Sequence, residues 1–485
     1  MRKIFFSFLF IIIFIIPILI IINSGCANII PPGGGPKDTL PPVLVNATPR
    51  DSLTNFTSNK IVLTFDEYVQ LENLQDNLIV SPNPQNPPQV DSKLRTVTIR
   101  LKDTLQPNTT YSINFGNALK DINEGNIDKN FTYVFSTGKH LDENTLNGKV
   151  LLAETGKVDS TLIVVLHKNL ADSAVEKERP LYYARLDSKG NFQFRNLPAA
   201  TFAVYTLPND YSKRYDDSTK LFAFLNEPVK VGDTFSTPKV TLYAYQEVKE
   251  AEKKQAAPTS LEKNKKPDKY VRITTNLEQN QQDLLSNLEL TFNKKLPTID
   301  TNKIILADTN YKPINGINFL IDTSRTKLTI KYNWPENTDF RLVIQKDAIA
   351  DSAGSMLAKA DTVKFSTKRE SDYGSIRLRF PDLDLSKNPV LQLVKNNVVV
   401  DSAILTTNEW YKKLYTPGDY EIRILFDDNK NGTWDPGKFF GVHKQPEIVQ
   451  SISTPLKIKA NWDNEQDVYL TQTQPTNKKQ NTINQ

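Results

Sequence analysis

The stretch Ile61-Val62-Leu63-Thr64-Phe65 decides the fold, because Leu288-Glu289-Leu290-Thr291-Phe292 repeats its pattern later in the chain. Short runs of β-branched and aromatic residues between turn residues are typical of β-strands. Three more strand-like runs follow in the same order in both places: residues 96–99 with 327–330, 111–115 with 340–344, and 133–137 with 363–367. A repeat period of more than about two hundred residues is too long for a solenoid and indicates a duplicated domain.

The pattern after Ile30 is strand-like throughout, and no long stretch shows sustained helical periodicity. Short strands separated by turn residues at this spacing are typical of β-sandwiches. The 485 residues are enough for about three or four domains of ordinary size. We therefore predict an all-β chain of tandem β-sandwiches.

Four short motifs in the first copy of the repeat, and three in the second, resemble the bacterial immunoglobulin-like domain first described in S-layer proteins. The first copy carries Thr64-Phe65-Asp66-Glu67, Pro107-Asn108-Thr109-Thr110-Tyr111, Asp121-Ile122-Asn123-Glu124-Gly125-Asn126 and Phe135-Ser136-Thr137. The second copy keeps shorter matches at Phe292-Asn293, Asp351-Ser352-Ala353-Gly354 and Phe365-Ser366-Thr367. The resemblance implies two Ig-like sandwiches of about a hundred residues each, which is an ordinary domain size.

A second kind of unit follows each Ig-like copy. Asp187-Ser188-Lys189-Gly190-Asn191-Phe192-Gln193-Phe194 and the later Thr416-Pro417-Gly418-Asp419-Tyr420-Glu421-Ile422 are similar to the turn-and-strand runs of transthyretin-like, carboxypeptidase-regulatory modules. In the first unit Ala200 stands where that family has glycine, and the second unit keeps the glycine as Gly418. The resemblance implies tandem Ig-like and transthyretin-like sandwiches in a duplicated two-domain arrangement.

The predicted organisation has eight segments, with a charged linker dividing two halves that we expect to unfold separately. They are a lipoprotein signal peptide (1–25), a Pro/Gly tether (26–42), Ig-like domain 1 (43–140), transthyretin-like domain 1 (145–246), the linker (247–269), Ig-like domain 2 (270–368), transthyretin-like domain 2 (373–470) and a polar tail (471–485).

The N-terminus has the features of an export signal. Arg2 and Lys3 precede an apolar run that extends to Ile22, and the lone cysteine, Cys26, follows Ser24-Gly25. The segment Asn23-Ser24-Gly25-Cys26 resembles the lipobox of bacterial lipoproteins, although Asn23 stands where that motif prefers leucine. The resemblance implies cleavage before Cys26 and lipidation of its thiol. The apolar run is also nearly long enough to span a membrane, so an uncleaved anchor helix remains the alternative.

The residues after Cys26 bear on location. Ala27 is not the aspartate that retains lipoproteins in the inner membrane of some species, and Ala27-Asn28-Ile29-Ile30 lacks the acidic cluster of surface-exported relatives. By that resemblance, the protein is expected on the outer membrane, lipid-anchored and facing the periplasm. The expected partners are the membrane, through the lipid, and a protein of the outer membrane or periplasm.

One segment has the spacing of a calcium loop. Asp427-Asp428-Asn429-Lys430-Asn431-Gly432-Thr433-Trp434-Asp435 fits D-x-[DN]-x-[DN]-G, in which alternate oxygen side chains surround Ca²⁺ and the glycine permits a sharp turn. The expected ligands are Asp427, Asn429, Asn431 and Asp435, with the Thr433 carbonyl. Lys438 stands where an EF-hand has its bidentate glutamate, so the motif is incomplete. The alternative is a plain hairpin turn. The loop 209–217 in the first half lacks the glycine, and no metal is expected there.

The sequence contains few residue patterns that are typical of catalytic sites. The three histidines, His140, His167 and His443, lie far apart in separate predicted units and do not form a metal-binding spacing. Adjacent carboxylates such as Asp66-Glu67 point to opposite faces of a strand, and we interpret them as a solvated strand edge or turn. A net charge of +5 without a basic cluster argues against nucleic acid as a partner.

These features favour a non-enzymatic outer-membrane lipoprotein that acts as a binding or assembly module in the cell envelope. A surface-exposed adhesin-like or glycan-binding protein is the second hypothesis, and an enzyme of unrecognised type is the third. Fold class by itself does not separate them.

Thr39 is the best candidate for an O-linked sugar, and the alternative is that its triplet arises by chance, because Asp and Ser are favoured at turns. Asp38-Thr39-Leu40 resembles the sequon that certain Gram-negative bacteria glycosylate, and a predicted tether is accessible to an enzyme without unfolding of a domain. The intact mass of protein from its native envelope should exceed that of the lipidated polypeptide by hexose-type increments, and Thr39→Ala should reduce the excess. A mass equal to the bare lipidated chain would refute the modification.

Overall fold

The computed structural model describes residues 37–232, 239–248 and 269–470. The predicted signal peptide, Cys26, most of the tether, the centre of the linker and the C-terminal tail lie outside these residues. Within them, no helix has the length and apolar character needed to cross a membrane. The chain divides into two compact units, one ending at Leu141 and the other beginning at Asp142.

The first unit is a β-sandwich with one short helix, α1 (Leu74–Asn77). Its strands are β1 (Leu44–Thr48), β2 (Lys60–Phe65), β3 (Val69–Leu71), β4 (Ile79–Ser81), β5 (Gln89–Lys93), β6 (Thr96–Arg100), β7 (Thr110–Asn114), β8 (Leu119–Asp121) and β9 (Thr132–Ser136). One sheet has the order β1-β2-β6-β5, the facing sheet has β4-β7-β9, and β3 pairs with β8.

Alternating side chains build the core of this unit. Ile61, Leu63 and Phe65 of β2 point inward and are buried, while the residues between them face outward. They pack on the stacked rings of Tyr111 and Phe135, whose centroids lie 5.2 Å apart. This strand alternation confirms the sandwich expected from the sequence pattern.

The second unit begins with the first transthyretin-like domain. Its strands are β10 (Asn144–Leu152), β11 (Leu162–His167), β12 (Tyr182–Arg185), β13 (Asn191–Leu197), β14 (Ala200–Pro208), β15 (Ala223–Phe224), β16 (Val229–Val231) and β17 (Val240–Ala244), with helix α2 (Ala174–Lys177). The two sheets have the orders β13-β10-β17 and β12-β11-β14-β15, and β16 also pairs with β14.

The second Ig-like domain follows the linker. Its strands are β18 (Ile273–Thr275), β19 (Gln281–Gln282), β20 (Leu288–Phe292), β21 (Thr298–Ile299), β22 (Ile304–Ala307), β23 (Asn318–Ile321), β24 (Lys327–Lys331), β25 (Asp339–Ile344), β26 (Ile349–Ala350) and β27 (Asp361–Thr367), with a 3₁₀ turn at Thr301–Lys303. The sheets have the orders β18-β20-β24-β23 and β19-β27-β25-β22, and β21 pairs with β26.

The second transthyretin-like domain closes the described chain. Its strands are β28 (Gly374–Arg379), β29 (Pro389–Lys395), β30 (Val398–Ile404), β31 (Glu409–Tyr415), β32 (Gly418–Phe426), β33 (Ile448–Ser451), β34 (Leu456–Ile458) and β35 (Asp463–Asp467), with 3₁₀ turns at Glu370–Asp372 and Leu385–Lys387. The sheets have the orders β31-β28-β35 and β30-β29-β32-β33, and β34 also pairs with β32.

Sheet topology confirms the fold class: the chain is all-β, with tandem Ig-like and transthyretin-like sandwiches in a duplicated arrangement. The Ig-like order β1-β2-β6-β5 returns as β18-β20-β24-β23. The two transthyretin-like domains share a parallel first-to-last pairing, β10 with β17 and β28 with β35.

The two transthyretin-like domains pack against each other, which the sequence did not reveal. All six residues of β11 are buried, so both of its faces are covered. One face contacts the core of its own domain, and the other joins an aromatic cluster that Phe439 of the second domain enters. The Val449 N–H donates to the Ala153 carbonyl at 2.8 Å across this boundary. The expectation that the two halves unfold separately is therefore replaced by one of a shared core.

Removing the Phe439 ring should uncouple these domains. Phe439 is 1% exposed, and truncation of a buried phenylalanine to alanine costs about 3–5 kcal/mol. Urea unfolding of Phe439→Ala should lose the common transition of residues 142–246 and 373–470. Tyr211→Ala, which removes a ring that is 93% exposed, is the control and should unfold like the parent protein. A Phe439→Ala curve that overlays the parent curve would contradict the shared core.

Candidate functional site

The loop between β32 and β33 holds the predicted calcium motif at its start. Asp427 is 1% exposed, and its carboxylate accepts backbone N–H groups from Lys430 at 2.7 Å and Gly432 at 2.6 Å. Gly432 has a φ of +79°, a left-handed conformation that favours glycine. The chain therefore wraps around Asp427, as the D-x-N-x-N-G spacing predicts.

Three other predicted ligand side chains meet in this loop. The amide groups of Asn429 and Asn431 both donate to the same oxygen, Oδ2 of Asp435, with a distance of 2.7 Å from Asn431. Oδ1 of Asn431 accepts the Thr433 N–H at 2.7 Å and the Thr433 hydroxyl at 2.8 Å. Asn429, Asn431 and Asp435 thus converge on one side of the loop, where their oxygens could turn toward an ion.

Glu447 belongs to the same site, and motif spacing did not find it. It immediately precedes β33 and is 3% exposed. Its carboxylate accepts the N–H of Asp428 at 3.0 Å and of Asp435 at 2.9 Å, so it spans the loop. Burial, together with the negative charge of Asp427, raises the pKa of Glu447. The only available signal was an acidic residue directly before an apolar strand.

The site is rich in negative charge. Throughout residues 37–232, 239–248 and 269–470, no lysine, arginine or histidine forms an ion pair with Asp427, Asp435 or Glu447, although Arg423 pairs with Glu421 nearby. Buried carboxylates are usually paired with a positive charge or a metal. The arrangement can therefore accept a cation.

In the corresponding loop of the first transthyretin-like domain, a lysine compensates the negative charge of the carboxylates. Nζ of Lys220 lies 2.6 Å from Asp210 and 2.6 Å from Asp216, and it also contacts the Arg214 carbonyl. The lysine amine thus supplies the positive charge among these carboxylates.

A second acidic cluster lies in the first unit. Carboxylate oxygens of Glu67, Asp121 and Glu124 lie within 4.8 Å of one another. Asp121 is buried and accepts backbone N–H groups from Glu124, Gly125 and Asn126. Burial and the nearby carboxylates, first among them Asp121, raise the pKa of Glu67. The interpretation of Asp66-Glu67 as a solvated turn therefore missed the proximity of Glu67 to the Asp121 turn.

The repeat offers an internal comparison for this cluster. In the second Ig-like domain, Lys294 stands where the first has Glu67, two residues after the matching phenylalanine. Its Nζ lies 2.8 Å from Asp351, the counterpart of Asp121. One domain therefore holds its turn with an ion pair, and the other brings like charges together.

The histidines lie in different surroundings. Burial lowers the pKa of His167 to about 4, and the ring packs edge-on against Tyr205. Nε2 of His443 bonds to Asp172 at 2.9 Å. His140 is exposed. Among the described residues, neither His167 nor His443 is hydrogen-bonded to a serine or threonine hydroxyl.

Thr39, the predicted glycosylation site, lies at the N-terminal end of the described residues. Thr39 is exposed at the start of the described chain, beside an Asp38 carboxylate that accepts the Leu40 N–H at 3.0 Å. Of the four tryptophans, Trp334 is in the core, Trp410 and Trp434 are half-buried, and Trp462 is 62% exposed beside Lys459. Trp334 therefore packs in a core, whereas Trp462 lies at the surface.

Comparison with known proteins identifies part of the chain. Residues 38–137 and 264–367 match the family of the bacterial Ig-like domain, so these two segments are Ig-like domains. This agrees with the resemblance that their motifs carry. No curated protein matches the sequence.

Several solved structures are similar at low identity. The major pilin subunit of Bacillus cereus is 12% identical, with 68% of this chain and 100% of that chain covered and a TM-score of 0.17. The Bacillus anthracis TIE protein is 12% identical, with 90% and 76% covered and a TM-score of 0.16. A bacterial S-layer protein, SbsC, is 13% identical, with 87% and 41% covered and a TM-score of 0.15.

Changing Glu67 to lysine should stabilise the first unit. The raised pKa of Glu67 means that its charged form is disfavoured in the folded state, so stability falls as pH rises through that pKa. Glu67→Lys removes the repulsion and can pair with Asp121, for a gain of roughly 0.5–1 kcal/mol at neutral pH. Calorimetry should show a higher melting temperature, with the gain shrinking in acid as the wild-type carboxyl becomes protonated.

The reciprocal change provides the control. Lys294→Glu in the second Ig-like domain breaks the pair with Asp351 and should lower the melting temperature of the second unit. A loss of stability in Glu67→Lys at neutral pH would show that the carboxylates of the first unit do not repel one another.

Proposed function

We propose that this chain is a non-enzymatic lipoprotein of the bacterial outer membrane, anchored through Cys26 and serving as a binding or assembly module that faces the periplasm. The two bacterial Ig-like domains and the all-β sandwiches support an envelope role. The Ser24-Gly25-Cys26 sequence after an apolar segment supports the anchor.

The contact between the two transthyretin-like domains is the main support for the proposed binding or assembly role. Phe439 packs on Tyr205, Phe222 and Phe224 with ring centroids 5.0–5.6 Å apart. Lys157 bonds to Glu421 at 2.9 Å at the same boundary. These contacts fix the spacing of two sandwiches, and a fixed spacing presents the same surface to a partner each time. Two domains that buried aromatic residues hold at a fixed spacing are suited to bind a partner protein or to support an assembly.

The anchor follows from the chemistry of acylation. Each buried CH₂ of a lipid chain contributes about 0.8 kcal/mol, and stable attachment to a membrane needs more than one chain. A lipidated Cys26 would place the Pro/Gly-rich residues 31–36 between the membrane and the first Ig-like domain. The sandwiches would then stand clear of the lipid surface, where a protein of the outer membrane or periplasm can reach them.

Replacing the cysteine tests this function. Cys26→Ser should leave unprocessed precursor or release the protein into the soluble envelope fraction, because no thiol remains to carry the lipid. Asn28→Ala is the control and should fractionate with the membrane like the parent chain. A Cys26→Ser protein that is processed and membrane-bound as in the parent, with its mature N-terminus elsewhere, would contradict the anchor.

The orientation and the partner have separate readouts. Protease treatment of intact cells should leave a periplasm-facing chain whole, whereas degradation would favour the adhesin-like hypothesis. Cross-linking in intact envelopes, followed by purification, should recover one envelope protein in stoichiometric amount. Recovery of the chain alone would count against a binding or assembly role.

A further inference from the structure

The loop between Asp427 and Glu447 contains buried negative charge that needs compensation. Asp427 and Glu447 are 1% and 3% exposed. Backbone N–H groups satisfy their oxygens as hydrogen-bond acceptors, but the described residues give neither carboxylate a cationic partner. Both carboxylates bond to backbone N–H groups of the same short loop, and buried carboxylates are costly unless a positive charge pairs with them.

The duplicated domain shows which charge belongs in such a loop. Lys220 places its amine 2.6 Å from both Asp210 and Asp216 in the loop after β14. The loop after β32 has the same place in the topology. Its lysines Lys430 and Lys438 are exposed, and the backbone of Lys438 pairs with that of Lys444. The second loop thus lacks the internal cation of the first and has oxygen ligands at alternate positions.

The donor set identifies the class of ion. We propose that Asp427, Asn429, Asn431, Asp435 and Glu447, with the Thr433 carbonyl, bind one Ca²⁺, and that this ion holds the segment 436–446 against the first transthyretin-like domain. Ca²⁺ prefers six to eight oxygens, and a bidentate Glu447 brings this set to about seven. Glu447 thus supplies the carboxylate that Lys438 lacks in the motif.

The segment 436–446 lies between two of the proposed ligands and contacts the first transthyretin-like domain, so the ion would also stabilise the contact between the domains. Phe439, His443 and Gln445 lie between the two acidic ends of the loop. Phe439 stacks on His443, with ring centroids 5.0 Å apart, and Gln445 donates to the Phe224 carbonyl at 3.1 Å. Gly437 approaches Tyr245 so closely that an added Cβ would lie 2.6 Å from the ring. Clamping Asp435 to Glu447 therefore restrains both ends of the segment that joins the two domains.

Calcium titration of the whole mature chain, stripped with a chelator, tests the site. Calorimetry should show one bound Ca²⁺ with a dissociation constant on the order of 10⁻⁴ M, since two asparagines lower the charge of the ligand set. Glu447→Gln, which preserves shape, should weaken binding about tenfold or more, and Asp435→Asn gives a second variant if the buried substitution unfolds the domain. Asp210→Asn, in the loop held by Lys220, should bind like the parent chain.

Hydrogen exchange tests the coupling to the interface. Ca²⁺ should slow exchange of the Val449 amide, which donates to Ala153, and of the amides in β11 and β14. Phe439→Ala should still bind Ca²⁺ but lose the added protection in residues 142–246. Absence of binding up to about 10 mM Ca²⁺ would overturn the site. So would a Ca²⁺ affinity of Glu447→Gln and Asp435→Asn that equals the affinity of the parent chain. Binding without any change in exchange across the boundary would overturn the role at the interface.

Discussion

The structure of the second unit depends on the burial of Phe439 from one transthyretin-like domain in the aromatic face of the other. Strand β11 is apolar on both faces, and such a strand is stable only when both faces are covered. The core of its own domain covers one face. On the other face, Phe439 from the loop between β32 and β33 packs into a cluster with side chains of the first domain, among them Val175 and Phe222. Gly156, with a φ of +67°, permits the backbone of β33 to approach at a distance that a side chain would block.

The sequence predicted the all-β fold with tandem sandwiches, but it did not predict the contact between the two transthyretin-like domains. Alternation in residues 61–65 and 288–292 predicted two sandwiches because each strand has one apolar and one polar face. Residues 162–166 form one continuous apolar run, which is compatible with a strand in any sandwich core. Which surface covers the second face depends on contacts far apart in sequence, such as Ala153 with Val449, and no local pattern encodes them.

In the candidate site, too, the residues of one local turn were predictable, and the residue brought in by a long-range contact was not. The spacing of Asp427, Asn429, Asn431 and Asp435 was visible because all four belong to one turn, and local geometry brings them together. The spacing of the motif could not indicate Glu447, because the segment between Asp435 and Glu447 first contacts the other domain through Phe439 and Gln445. Likewise, Lys220 and Lys294 show that each duplicated turn balances its carboxylates in its own way, which repetition of the fold does not dictate.

The central claim is that the two transthyretin-like domains form one body rather than two domains on a linker. The most direct test is a distance measurement between spin labels at exposed positions of each, such as Tyr211 and Tyr411, which are 93% and 51% exposed. Cys26 is the single cysteine, so a soluble form without it can be labelled at both sites alone. The account predicts one narrow distance distribution. A broad distribution that spans many separations would show that the domains move independently and would contradict it.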